Sequence, residues 1–210
     1  MLGRCINFRR LEPFPLELWR RDLSAIALIG MPGGGKSTVG RHLARRLDVP
    51  FVDTDAEIER RLGCPIRTFF EQEGEDRFRD VESSMLAELL ASTHGVIATG
   101  GGIVLRPENR DLLLVHTNCI YLRSTPEELF RRLRHDSKRP LLQVADPLAR
   151  LREMYATRHP LYRKAAHFVV ETGRPSVTTL VNMILMQLEL AGVVDPASVP
   201  SPIDASPGLT

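Results

Sequence analysis

Five apolar residues, Ala25-Ile-Ala-Leu-Ile29, run directly into Gly30-Met-Pro-Gly-Gly-Gly-Lys36-Ser37-Thr38, and an amphipathic segment begins at the lysine. This junction restricts the fold more than any other stretch, because it asks for a buried strand, a tight glycine turn and a helix start in succession. The spelling G-x-x-x-x-G-K-S is that of the phosphate-binding P-loop, and the flanking strand and helix are the context it requires. Glycines such as Gly33, Gly34 and Gly35 let the backbone curl until successive N–H groups point inward at phosphate oxygens, and the helix N-terminus adds a favourable dipole. Lys36 then reaches the β- and γ-phosphates, the Ser37 hydroxyl ligates Mg²⁺, and Thr38 closes the motif on the first turn of the helix. The alternative is a glycine-rich turn with a chance lysine. Of 28 basic residues only Lys36, Lys138 and Lys164 are lysines, which disfavours an accident at this position. The chain is read as a nucleoside triphosphate binder.

From Ser24 onward short apolar runs alternate with longer amphipathic segments. The runs predict strands over Ala25–Ile29, Pro50–Val52, Val96–Ala98, Cys119–Leu122 and His167–Val170. The segments predict helices over Lys36–Leu47, Ala56–Leu62, Ile66–Gln72, Glu75–Leu90, Glu108–Leu114, Pro126–Arg134, Leu148–Thr157 and Ser176–Leu188. Strands separated by helices imply an α/β fold, a parallel sheet with helices on both faces. Ligands in such sheets collect beyond the carboxyl ends of the strands. One domain over about 23–190 accounts for most of the 210 residues, with an N-terminal extension of open role at 1–22 and a proline-bearing tail at 191–210 expected to be disordered.

A net charge of +2 gives no general argument for nucleic acid as a partner. No apolar run approaches the ~18 residues of a membrane span, and the N-terminus lacks the apolar core of a signal peptide. Cys5, Cys64 and Cys119 are odd in number and outside any C-x-x-C spacing, as expected of reduced thiols. These features together predict a soluble cytoplasmic protein.

Most remaining motifs fall at predicted strand ends, beside the P-loop. Asp53-Thr54-Asp55 follows the second strand: one carboxylate can hold Mg²⁺ through water, the other can meet a substrate hydroxyl, and Thr54 or Asp55 can also cap the next helix. Glu75, Phe78, Arg79 and Glu82 follow helical spacing, so two carboxylates can brace a guanidinium suited to capturing a carboxylate, or form a solvated ion-pair face. Gly100-Gly101-Gly102 after the third strand allows close backbone approach to a ligand, and a flexible turn is the alternative. No aspartate of the usual Walker B kind stands at that strand end, which strengthens the Mg²⁺ role for Asp53. A basic segment containing Arg131, Arg132, Arg134, Lys138 and Arg139 enters a loop bounded by Pro140 and Pro147, as suits a mobile lid over phosphates. Arg158, in Arg-His-Pro-Leu-Tyr162, is expected at the end of the next helix, as a second clamp or a solvent-facing arginine. The segment Glu171–Pro175, with Arg174, can edge an adenine ring.

Taken in order and spacing, the segments 30–38, Asp53-Thr-Asp55, Gly74-Glu75…Phe78-Arg79…Glu82, Gly100–Gly102, Arg139-Pro-Leu-Leu142 and Arg158…Pro160-Leu-Tyr162 resemble the shikimate kinases, within the nucleoside monophosphate kinase-like P-loop proteins. The resemblance covers about Ser24 to Leu190 and departs at none of these positions. It implies a three-layer α/β/α P-loop kinase fold with a five-stranded parallel sheet, a lid at about 135–147 and a helical substrate-binding region. It implies MgATP-dependent phosphorylation of the 3-hydroxyl of shikimate by a monomer. Carried over by position, Asp55 meets the ring hydroxyls and acts as base, Arg79 and Arg158 hold the carboxylate, and Gly101 offers its backbone amide. Arg139 neutralises the transferring group, and Arg132 stacks on adenine. A small-metabolite kinase resembling gluconate kinase is the nearest rival, and the Arg79–Arg158 pair favours a ring acid over it.

Overall fold

The computed structural model describes residues 25–134 and 144–198. Its strands are β1 (Ala25–Ile29), β2 (Phe51–Asp53), β3 (Val96–Ala98), β4 (Thr117–Arg123) and β5 (Phe168–Glu171), each within two residues of where the apolar runs predict it. They form one sheet in the order β2-β3-β1-β4-β5 with every neighbouring pair parallel. All five residues of β1 are buried, because helices cover both faces and leave no side of the strand to water. Ile26 and Leu28 enter one core while Ala27 and Ile29 enter the other, as the two-residue period of a strand dictates.

The helices are α1 (Lys36–Leu47), α2 (Thr54–Leu62), α3 (Ile66–Ser92), α4 (Pro107–His116), α5 (Pro126–Leu133), α6 (Pro147–Ala165) and α7 (Val177–Leu190). Helices α1 and α7 cover the first face, through residues such as Leu43 and Ile184. The second face packs against Leu86 of α3, Leu113 of α4, Leu129 of α5 and Tyr162 of α6. A third cluster, Ile58, Phe69, Phe78 and Met85, joins α2 to α3 away from the sheet. The break expected between Gln72 and Glu75 is a kink inside α3, where Gly74 adopts φ 82 and ψ 173.

Helix α6 runs on to Ala165, past the end expected at Thr157. Pro160 lies inside this extension, where it removes a helical hydrogen bond and restricts the residue before it. An interior proline costs about 3 kcal/mol. Tyr162 and Ala165 are both fully buried beyond it, and burial of this size offsets that cost. Arg158 therefore stands in the middle of a helix, with packing on both sides of it. Past α7 the chain turns at Gly192 (φ 69) and buries Val194 against the first core.

All five strands point their carboxyl ends the same way. From β1 the chain crosses past β3 to β2, and from β3 it crosses back past β1 to β4, so the connections leaving these two neighbouring strands diverge and open a crevice between their carboxyl ends.

Candidate active site

The P-loop fills that crevice. Gly30 lies against β4, and a Cβ on it would meet the Leu122 carbonyl at 2.6 Å. Gly35 takes φ 89, the left-handed value that glycine adopts without strain, and delivers the chain into α1. The Lys36 ammonium donates to the Gly30 carbonyl at 2.9 Å and the Met31 carbonyl at 3.0 Å, so it spans its own loop. Gly34 N–H closes the turn on the Met31 carbonyl at 3.1 Å.

Ser37, in the first turn of α1, and Asp53, at the end of β2, come together with the serine hydroxyl donating to Asp53 Oδ2 at 2.5 Å. The other carboxylate oxygen of Asp53 accepts from the Asp55 N–H at 3.1 Å and from the Ala56 N–H at 3.4 Å. Asp53 is thus the helix cap, where Thr54 or Asp55 was expected, and α2 begins at Thr54. The cap leaves Oδ2 beside Ser37, and both are the hard oxygen donors that Mg²⁺ takes from protein. Among the described residues no group of three or more His, Cys, Asp or Glu is arranged to hold a metal. A hydrated Mg²⁺ with one or two protein ligands needs none.

On the other side of the crevice the glycine triplet is surrounded by side chains. Gly100 N–H donates to Thr54 Oγ1 at 2.9 Å, tying the end of β3 to the start of α2. A Cβ on Gly100 would lie 2.6 Å from Asp55 Oδ1 and 2.8 Å from Glu82 Oε1. One on Gly101 would meet Pro32 of the P-loop at 2.7 Å, and one on Gly102 would collide with Arg79 Nη1. The triplet is therefore a requirement for clearance around the protein's own site residues.

Arg79 is braced as its spacing predicts. It donates to Glu82 at 2.7 Å and Glu75 at 2.8 Å, and its guanidinium lies over the Phe78 ring at 5.4 Å and the Phe70 ring at 5.9 Å. From α6, Arg158 reaches in to donate to the Gly101 carbonyl at 3.1 Å. Burial lifts the Asp55 carboxyl above its ordinary 3.8; Lys36 and Arg79 pull it down, while Asp53 and Glu59 add to the rise. Burial likewise raises Glu82 against the pull of Arg79. A carboxylate of raised pKa facing Lys36 and Arg79 can accept a proton and orient a hydroxyl at neutral pH.

Behind the P-loop a cavity of about 320 Å³ is lined by Gly33, Gly34, Gly35, Thr38, Arg132, Thr172, Pro175 and Val177 among others. Arg132 donates to the Thr172 carbonyl and, at 3.4 Å, to the hydroxyls of Ser124 and Thr172, which holds it at the cavity wall. Arg174 is exposed and does not line it; the following Pro175, Ser176 and Val177 do. Arg139 lies outside the described residues, as does most of the expected lid.

Three contributors carry no local signal. Pro32 meets Gly101, Tyr162 donates to the Gly101 carbonyl at 2.6 Å, and Tyr121 stacks on Tyr162 at 4.9 Å between ring centres. Only the Pro-Leu-Tyr spelling after Arg158 hinted at Tyr162.

A P-loop at the switch point of a five-stranded parallel sheet, facing a pocket of one aspartate and two arginines, defines a P-loop kinase of the three-layer α/β/α class. The shikimate kinase family model matches residues 32–189. A shikimate kinase of Ralstonia nicotianae is 56% identical over 181 residues, spanning 86% of this chain and 95% of that relative. The structure of shikimate kinase from Acinetobacter baumannii in complex with shikimate superposes with a TM-score of 0.77 at 42% identity, covering 85% of this chain and 98% of that one. A gluconokinase from Sinorhizobium meliloti, at 19% identity and a TM-score of 0.53 over 82% of this chain and 95% of that one, shares the fold alone. The chain belongs to the shikimate kinase family.

Proposed function

We propose that this protein transfers the γ-phosphoryl group of MgATP to the 3-hydroxyl of shikimate, giving shikimate 3-phosphate and ADP on the route to chorismate and the aromatic amino acids. The observation that carries the reading is the convergence of Asp55, Arg79 and Arg158 on one glycine turn across from Lys36. Two guanidiniums suit a single carboxylate. Asp55 suits a ring hydroxyl: it takes the hydroxyl proton as the oxygen bonds to the γ-phosphorus, and the bond to the β-phosphate oxygen breaks to release ADP. The base cavity with Arg132 receives the adenine.

Phosphoryl transfer needs little covalent help, so positioning and positive charge supply most of the rate. Lys36 and, from the lid, Arg139 neutralise the transferring group, and lid closure excludes the water that competes as acceptor. Ser37 and Asp53, the latter through water, would hold Mg²⁺, which supplies charge neutralisation at the β- and γ-phosphates when bound. A cytoplasmic monomer is the state that the family resemblance implies. Among the described residues no helix is long and apolar enough to cross a membrane.

Phosphorus NMR of the reaction mixture tests the reading. A new phosphomonoester resonance coupled to the proton on carbon 3 of shikimate is expected; a phosphoryl group on another position, or only inorganic phosphate, contradicts it.

A further inference from the structure

Tyr162 is fully buried on α6, one helical turn beyond Arg158, and the two share a target. Its hydroxyl donates to the Gly101 carbonyl at 2.6 Å while Arg158 donates to the same oxygen at 3.1 Å. The flanking peptides are fixed as well: Gly100 N–H is held by Thr54 Oγ1 at 2.9 Å, and the Gly100 carbonyl accepts from Ile103 N–H at 3.3 Å. One residue further, Gly102 carries the close approach of Arg79. Both guanidiniums therefore lie against one glycine turn, Arg158 donating to the Gly101 carbonyl and Arg79, held by Glu75 and Glu82, packed on Gly102 in the space a Cβ would take.

The tyrosine is placed by rigid neighbours. Its ring stacks on Tyr121 of β4 at 4.9 Å and 25°, and the Tyr121 hydroxyl in turn meets His159 Nδ1 at 3.1 Å. Burial pushes the Tyr162 phenol well above its ordinary value, so the hydroxyl remains a donor throughout the neutral range. A glycine peptide has little torsional resistance of its own. Arg158 alone, on a long side chain, restrains the Gly101 carbonyl less than Arg158 and a stacked phenol together.

We propose that Tyr162 is a positioning residue for the acceptor: by clamping the Gly101 carbonyl it fixes the spacing between Arg79 and Arg158, and so the geometry in which both meet one carboxylate. The guanidinium of Arg158 donates to the same carbonyl and also interacts with the Tyr162 hydroxyl, so the clamp ties arginine, tyrosine and glycine turn together. This inference rests on the functional reading above, and its test separates the two.

Tyr162→Phe removes the hydroxyl and keeps the ring stack. With one net hydrogen bond lost from the clamp, the KM for shikimate is expected to rise about fivefold while the KM for MgATP stays within about twofold. In the ligand-free protein, amide exchange over residues 99–103 is expected to accelerate several-fold, with α1 unchanged. An unchanged shikimate KM, or equal rises in both KM values, overturns the proposal. Unaltered exchange at the glycine turn overturns it too. The exchange comparison needs no acceptor and decides the clamp by itself; turnover of shikimate by the unmutated protein separately tests the functional reading.

Discussion

On the nucleotide side of the site the Lys36 ammonium meets carbonyls six and five residues away, inside a single loop between β1 and α1. On the acceptor side the corresponding contacts join residues 46, 57 and 61 positions apart, from Thr54, Arg158 and Tyr162 onto the glycine triplet. The phosphate loop of the first half closes on itself within one turn of chain, although the Ser37–Asp53 pair and the Arg132 cavity beside it draw on later segments. The second exists only once α2, α3 and α6 have docked around the end of β3. Glycine serves the two halves differently. Gly35 needs its left-handed φ of 89, and among the described residues nothing stands within 4 Å of where its Cβ would be. Gly102 has φ −98, open to any residue, but has no room for a Cβ because Arg79 occupies that space.

Arg139 is proposed to act on the group passing between the two halves. Arg139→Ala is expected to lower kcat by ~10³-fold or more with both KM values changed far less; unchanged turnover contradicts the lid role. Gly102→Ala strikes the acceptor half alone. The new methyl group forces Arg79 from its brace with Glu82, so the shikimate KM is expected to rise about 10²-fold while the MgATP KM holds. A rise in the MgATP KM of the same size would erase the distinction between the halves. Gly35→Ala strikes the nucleotide half through backbone strain of about 1–2 kcal/mol, which corresponds to roughly tenfold in the MgATP KM, with shikimate KM little altered. Steady-state kinetics with each substrate varied in turn reads all three.

The smallest effect is a displacement of a titration. Burial raises Asp55, so it protonates at a higher pH than an ordinary carboxylate. As the acidic form cannot take the hydroxyl proton, activity is expected to fall with decreasing pH about a midpoint above 3.8. A pH profile of kcat/KM that stays flat down to that value contradicts the base role of Asp55.

These halves also differed in how far they could be read before folding. The P-loop and the predicted strands were legible because each depends on neighbours in sequence, and the order of the strand ends foretold that Asp53, Asp55 and the glycine triplet would meet the P-loop. The bracing of Arg79 was legible from its helical spacing to Glu75 and Glu82. The identity of the cap was not, since Asp53 acts as cap with one oxygen while the other turns to Ser37. The clearance role of the triplet was hidden because its neighbours arrive from α2, α3 and the P-loop. Helix α6 was read too short, as the packing that carries it past Pro160 is contributed by the sheet. Tyr162 was visible only as a letter beside Arg158, for its hydroxyl finds its partner 61 residues away.

The central claim is that these two halves unite ATP with one particular acid. A coupled assay of ADP release with MgATP, comparing shikimate, gluconate and no acceptor, tests it most directly. Rapid release with shikimate alone is the predicted result. Equal release with gluconate, or ATP binding without release to any acceptor, would contradict the account.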